Sequence, residues 1–279
     1  MIAMLLLLAM QAAPEDPAKA MREGRYDEAA RLYRQMLKDH PNDPRLELNL
    51  GLALFSGKRY KDAAPVFDRV AKALPAPGPV HFMGGVSRLK LQQPCEAVPL
   101  LEKARQWQGT VMVLTELGDA YAGCKRYREA AKTYTEASRQ RPGDPALPRA
   151  AARAYWQARE YEPAKPLYAS VAVKFVSDPE FLYEYGDTLA RTGGAEEGLP
   201  YLEKAVAGAP DLAPARGALG RALVEVEKYA DAVPHLKAAA GTDATLLLPL
   251  SRAYKGLGKK EEAAAAEAEY RKKVAAGER

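Results

Sequence analysis

Metal-binding and redox residues are scarce in this 279-residue chain, which has two cysteines and three histidines. Two cysteines, Cys95 and Cys124, cannot build a disulfide-rich framework. His40, His81 and His235 fall at unrelated places along the chain, too sparse for a shared metal site. β-branched residues are few, and the abundant Ala, Leu, Glu, Lys and Arg form a helix-favouring mixture. Long apolar runs are missing: Ile2–Met10 is short of the roughly 20 residues that span a bilayer, and no other segment comes closer. No Ser, Cys or Thr stands in a nucleophile-elbow context. Gly84-Gly85 is the nearest approach to a phosphate-cradling loop, and Gly85 has another explanation below. The paired carboxylates Glu196-Glu197 and Glu261-Glu262 fall at expected helix starts, where they offset the helix dipole. Catalysis is therefore not expected, and no cofactor is implied. Charge of one sign is also lacking, with 41 basic residues against 36 acidic and a formal net charge of +5. Lys and Arg alternate with Glu and Asp along solvated faces. No basic cluster interleaves with stacking aromatics, which excludes a nucleic-acid groove and leaves at most peripheral contact with an anionic surface.

What the chain does have is a period. Small residues recur at Ala29, Ala63, Ala97, Ala130, Ala164, Gly198, Ala232 and Ala263, spaced by 34, 34, 33, 34, 34, 34 and 31. A second small column, Gly51, Gly85, Gly118, Ala152, Gly186, Gly220 and Ser251, precedes the first by twelve residues. Three residues after it come Leu54, Tyr121, Tyr155, Leu189, Leu223 and Tyr254, with Arg88 the exception. Tyr26, Tyr60, Tyr127, Tyr161 and Tyr229 open the second half of their units, and bulky Tyr33, Phe67, Leu101, Tyr134, Tyr168, Leu202 and Leu236 follow each small residue by four. Small residues on two helices let their axes approach to roughly 8–10 Å. A unit of this size cannot bury its apolar face alone and must stack on its neighbours. Pro41, Pro75, Pro142 and Pro210 close units. Pro65, Pro99, Pro166, Pro200 and Pro234 lie two residues past the small column, where they are expected to stiffen a helix start at an amide without an intrahelical partner.

The unit Leu114-Thr115-Glu116-Leu117-Gly118-Asp119-Ala120-Tyr121, with Tyr127-Arg128-Glu129-Ala130, Tyr134, Ala137 and Pro142, resembles the tetratricopeptide repeat at nearly every signature position. The resemblance covers about residues 17–277. It implies an all-α, right-handed α-solenoid of about eight hairpins, with units near 17–43, 44–77, 78–110, 111–144, 145–178, 179–212, 213–243 and 244–277. Departures are Pro17 within the first helix of the first unit, Pro94 and Ala195 in the aromatic column, and Glu267 at an apolar position. Residues 14–279 are expected to form one solenoid. Residues 1–13 read as a signal peptide, a short apolar core ending in small residues. The expected location is exported, periplasmic or extracellular in a bacterium; a cytoplasmic or N-terminally anchored protein is the alternative.

Cys95 begins one second helix and Cys124 ends the following first helix. These helices are antiparallel neighbours in stacked hairpins, so either a disulfide or two unpaired thiols filling small core sites fits the spacing. The outward face of the first helices should line the inside of the stack. Early units place Leu48, Leu52, Phe55, Phe82, Val86 and Leu89 there. Later ones place Arg149, Arg153, Trp156, Tyr183, Asp187, Arg191, Arg221, Arg252 and Lys255. An apolar half followed by a basic, aromatic half suits a peptide or protein segment with apolar and acidic features, with Trp156 the foremost anchor. The Lys and Asn set with which some members of the resembled family clamp a terminal carboxylate is absent, since Asn49 stands alone. Two functions follow: an adaptor in assembly of an envelope or secretion complex, or a structural spacer or self-associating module. Cell-wall polysaccharide binding through Trp156 and Tyr183 is a remoter third.

Overall fold

The computed structural model describes residues 16–73 and 78–277. The apolar Ile2–Met10 segment and its expected cleavage site lie outside them. Among the described residues there are sixteen α-helices and no strand, and no helix is long and apolar enough to cross a membrane. The helices gather into two compact units, residues 1–140 and 141–279. The first contains the hairpins α1 (Pro17–Arg22) with α2 (Tyr26–Asp39), α3 (Pro44–Ser56) with α4 (Tyr60–Ala73), α5 (Gly78–Lys90) with α6 (Pro94–Trp107), and α7 (Val111–Gly123) with α8 (Tyr127–Gln140). The second contains α9 (Ala146–Gln157) with α10 (Tyr161–Val171), α11 (Pro179–Arg191) with α12 (Ala195–Gly208), α13 (Ala213–Glu225) with α14 (Tyr229–Ala239), and α15 (Leu247–Gly256) with α16 (Lys260–Ala275). Within each unit every second helix packs on the next first helix, and successive first helices touch, as α3 with α5 and α11 with α13.

Local chemistry sets where helices start and stop. Asp16, Asp43 and Asp178 cap α1, α3 and α11 by accepting first-turn amides, each with proline at the next position, where its fixed φ suits the first turn. Each hairpin turns through one left-handed residue: Gly24, Lys58, Gln92, Lys125, Arg159, Gly193, Glu227 or Gly258, with φ of 59–84°. The amide that follows bonds back to a carbonyl five residues earlier, from Arg25 to Ala20 through Lys259 to Tyr254, at 2.8–2.9 Å. That is the helix-ending bond of a Schellman turn, present in all eight hairpins at the spacing of the alanine column.

The periodic columns form the core. All eight members of the first small column are buried, and Phe67, Leu101, Tyr168, Leu202 and Leu236 are almost fully so. The bulky column lies on the glycine column: a Cβ on Gly118 would stand 2.5 Å from the Tyr134 ring, and one on Gly198 2.6 Å from the Gly186 carbonyl. Arg88, in a column of leucine and tyrosine, bonds Asp68 at 2.5 Å and lies 3.7 Å from Glu96. Glu267, at an apolar position, accepts from Ser251 and Lys255.

One expectation needs correction. Pro65, Pro99, Pro166, Pro200 and Pro234 each stand sixth in their helices. An amide there would bond the carbonyl four residues earlier, so these prolines each remove a helix bond instead of occupying a position that lacks one. They are tolerated because each proline and the residue whose carbonyl it frees, Lys61, Cys95, Glu162, Glu196 or Ala230, is exposed to water. Cys95 and Cys124 form a disulfide with Cα atoms 5.0 Å apart, joining α6 to the end of α7.

Candidate binding surfaces

On α3 and α5 of the first unit the inner face is apolar and partly committed to the core. Phe55 and Leu48 pack on the core around Leu50, Leu54 and Phe67, and the Phe55 ring meets Tyr60 and Phe67 edge-on at 5.6 and 6.2 Å. Leu52, Phe82 and Leu89 are half-buried, whereas Val86, expected on the face, is buried. Met112, at the start of α7, is among the most exposed apolar residues described.

The second unit builds a more ordered surface, where α9, α11 and α13 lie side by side. Asp187 was expected to face the groove; its side chain is instead only 4 % exposed. Trp156 Nε1 donates to its Oδ2 at 2.9 Å, Arg191 Nε to the same oxygen at 2.9 Å, and Arg221 Nη2 to Oδ1 at 3.1 Å. Three helices thus converge on one carboxylate, whose burial is tolerated because it is paired and hydrogen-bonded. Trp156 and Tyr183 meet edge-to-face at 5.4 Å and both stay half-exposed. One helix turn away, Arg153 donates Nε to Glu184 at 2.6 Å and Nη2 to Glu180 at 2.7 Å. Glu184 is buried and also accepts the Tyr168 hydroxyl at 3.1 Å. Burial pushes the Glu184 carboxyl above the usual carboxylate range, with Arg153 opposing. Burial raises the Tyr168 and Tyr183 hydroxyls too, helped by the neighbouring Glu184 and Asp187 charges. Arg149 reaches Asp178 at 2.7 Å and lies over the Phe175 ring at 4.6 Å.

The expected basic half is therefore largely compensated over α9 and α11. Asp178, Glu180 and Glu184, which lie off the expected face, supply that compensation. A signal for part of it exists in the sequence: Arg153 and Trp156 share their spacing with Glu184 and Asp187, 31 residues on. Arg252 remains exposed and pairs with no carboxylate among the described residues, and Lys255 bonds Glu267 at 2.5 Å. Among those residues no group of His, Cys, Asp and Glu could hold a metal ion.

Three models of the tetratricopeptide repeat match the chain: two described simply as tetratricopeptide repeat, at residues 19–76 and 113–146, and one for the C-terminal tetratricopeptide repeats of YpiA-like proteins, at 145–211. Together they cover more than half of it. The chain belongs to the tetratricopeptide repeat family. Among solved structures it is similar to YrrB, described as a tetratricopeptide protein with an unusual peptide-binding site, with TM-score 0.56 and 18% identity over 73% of this chain and 97% of that one. MamA from Desulfovibrio magneticus RS-1 gives TM-score 0.50 and 23% identity over 60% and 99%. The Cut9–Hcn1 hetero-tetramer of the APC/C gives 0.53 and 14% over 91% and 51%. At these identities the likeness is one of fold. No curated protein matches the chain.

Proposed function

We propose that this tetratricopeptide repeat protein is a non-catalytic scaffold that binds a peptide or protein segment on the inner faces of its hairpins, in assembly of a bacterial envelope or secretion complex. The observation that carries the reading is the convergence of Trp156, Arg191 and Arg221 on buried Asp187. It holds an aromatic pair and two guanidiniums in place before any partner arrives, which lowers the ordering cost of binding. The Cys95–Cys124 bridge supports an oxidising compartment, in keeping with an exported protein.

Affinity capture from cell envelopes tests the binding role. A heterologous partner should be recovered in near-stoichiometric amount and lost with Tyr183→Ala, while the variant keeps its helical circular dichroism. Recovery of this chain alone, or a partner indifferent to the change, contradicts the reading. Resistance of the chain to protease in intact cells, and digestion after the outer envelope is opened, tests the location.

A further inference from the structure

Cations and carboxylates are distributed unequally along the inner face of the second unit. On α9 and α11, Arg149, Arg153 and Arg191 each face a carboxylate of α11 or of its capping residue Asp178 within 2.9 Å. On the next two first helices Lys255 of α15 is paired with Glu267, but the two arginines of this face lack such compensation. Arg221 on α13 has a single contact, through one Nη, to an Asp187 already shared with Trp156 and Arg191. Arg252 occupies the equivalent place on α15, is exposed, and has no carboxylate partner among the described residues. Glu225 ends α13 and pairs with neither arginine. Arg221 keeps 28 % of its side chain exposed, and a guanidinium carries five donors, most of them unused here.

Resting on the scaffold reading above, we infer that the α13–α15 end of this face takes an acidic stretch of the bound polypeptide, with side-chain carboxylates against Arg221 and Arg252. Guanidinium forks match carboxylates bidentately. Asp187 is a positioning residue in this arrangement: it anchors one edge of Arg221 and leaves the rest to the partner. Leu248 stands one turn before Arg252 and is 46 % exposed, so an apolar side chain next to the acidic residues has a seat. That combination favours a polypeptide over an anionic membrane, which is held by several cations at about 1 kcal/mol each. Here two guanidiniums stand beside apolar surface.

Selection of random peptides displayed against the immobilised full chain tests the inference. Selected peptides should be enriched in Asp and Glu over the starting library. A synthetic acidic peptide drawn from them should bind Arg252→Glu about tenfold or more weakly, and changing its acids to lysine should restore binding to that variant. Arg252 pairs with no carboxylate among the described residues, so the variant should melt as the parent does. Arg221→Gln gives a second reading with its charge removed and not reversed. Neutral selected peptides, or acidic ones indifferent to Arg252→Glu, overturn the inference and leave the scaffold reading standing. Failure to select any peptide overturns both. Inorganic phosphate or phosphatidylglycerol vesicles that displace the acidic peptide at matched charge also overturn it, by showing a general anion surface.

Discussion

Gly118 and Tyr134 meet where the two helices of one hairpin cross, and the phenol continues past the glycine to bond Asp119. A methyl group at residue 118 would have to displace the ring of a buried tyrosine. Gly118→Ala should therefore lower stability by about 1–3 kcal/mol, read as a lower urea midpoint; an unchanged midpoint would contradict the packing described. His81 and His235 each bury Nδ1 without a hydrogen-bond partner. Burial holds both imidazoles below their ordinary value of 6.5, aided for His81 by Lys103 and for His235 by Arg216. The unfolded chain then takes up protons first, so stability should fall as pH drops below about 6.5. His235→Leu should flatten that fall in denaturation curves between pH 7 and 5. An equally steep fall in the variant would count against this residue.

At the scale of elements, the second helices carry a cost that their sequence conceals. Proline two residues past a small column reads as a first-turn residue only if the helix begins late, and it begins instead at the aromatic column, five residues before the proline. Pro166 therefore stands in the second turn of α10 and leaves the Glu162 carbonyl to solvent. Pro166→Ala should restore one helix bond and raise stability by about 1–2 kcal/mol after the greater freedom of the unfolded chain is counted; a lower melting temperature would contradict this. The element pattern itself was legible, because packing columns force small and large residues into fixed register. The turns were less so. Lys58, Gln92, Lys125, Arg159 and Glu227 adopt a left-handed backbone that glycine would advertise and these residues do not. The Schellman bond, made by backbone atoms alone, imposes it.

For the whole molecule, the sequence placed Arg149, Arg153, Trp156, Tyr183, Arg191, Arg221 and Arg252 on first helices. The structure brings Arg153, Trp156, Tyr183, Arg191 and Arg221 into the network of contacts around Glu184 and Asp187, while Arg149 pairs with Asp178 and Arg252 with no carboxylate among the described residues. Burial of Asp187 was not legible, since a face position reads as exposed unless its neighbours' donors are counted together. The same network changes which substitutions are informative. Removing Arg153 would strand buried Glu184, and the loss of about 2–4 kcal/mol would confuse binding with folding. The central claim, that the inner face of the second unit is where a partner sits, is tested most directly by photo-crosslinking in living cells from a reactive phenylalanine at residue 183, compared with one at exposed residue 203 on α12. A crosslinked heterologous protein from residue 183 and none from residue 203 is the predicted result. Crosslinks from residue 203 alone would contradict it.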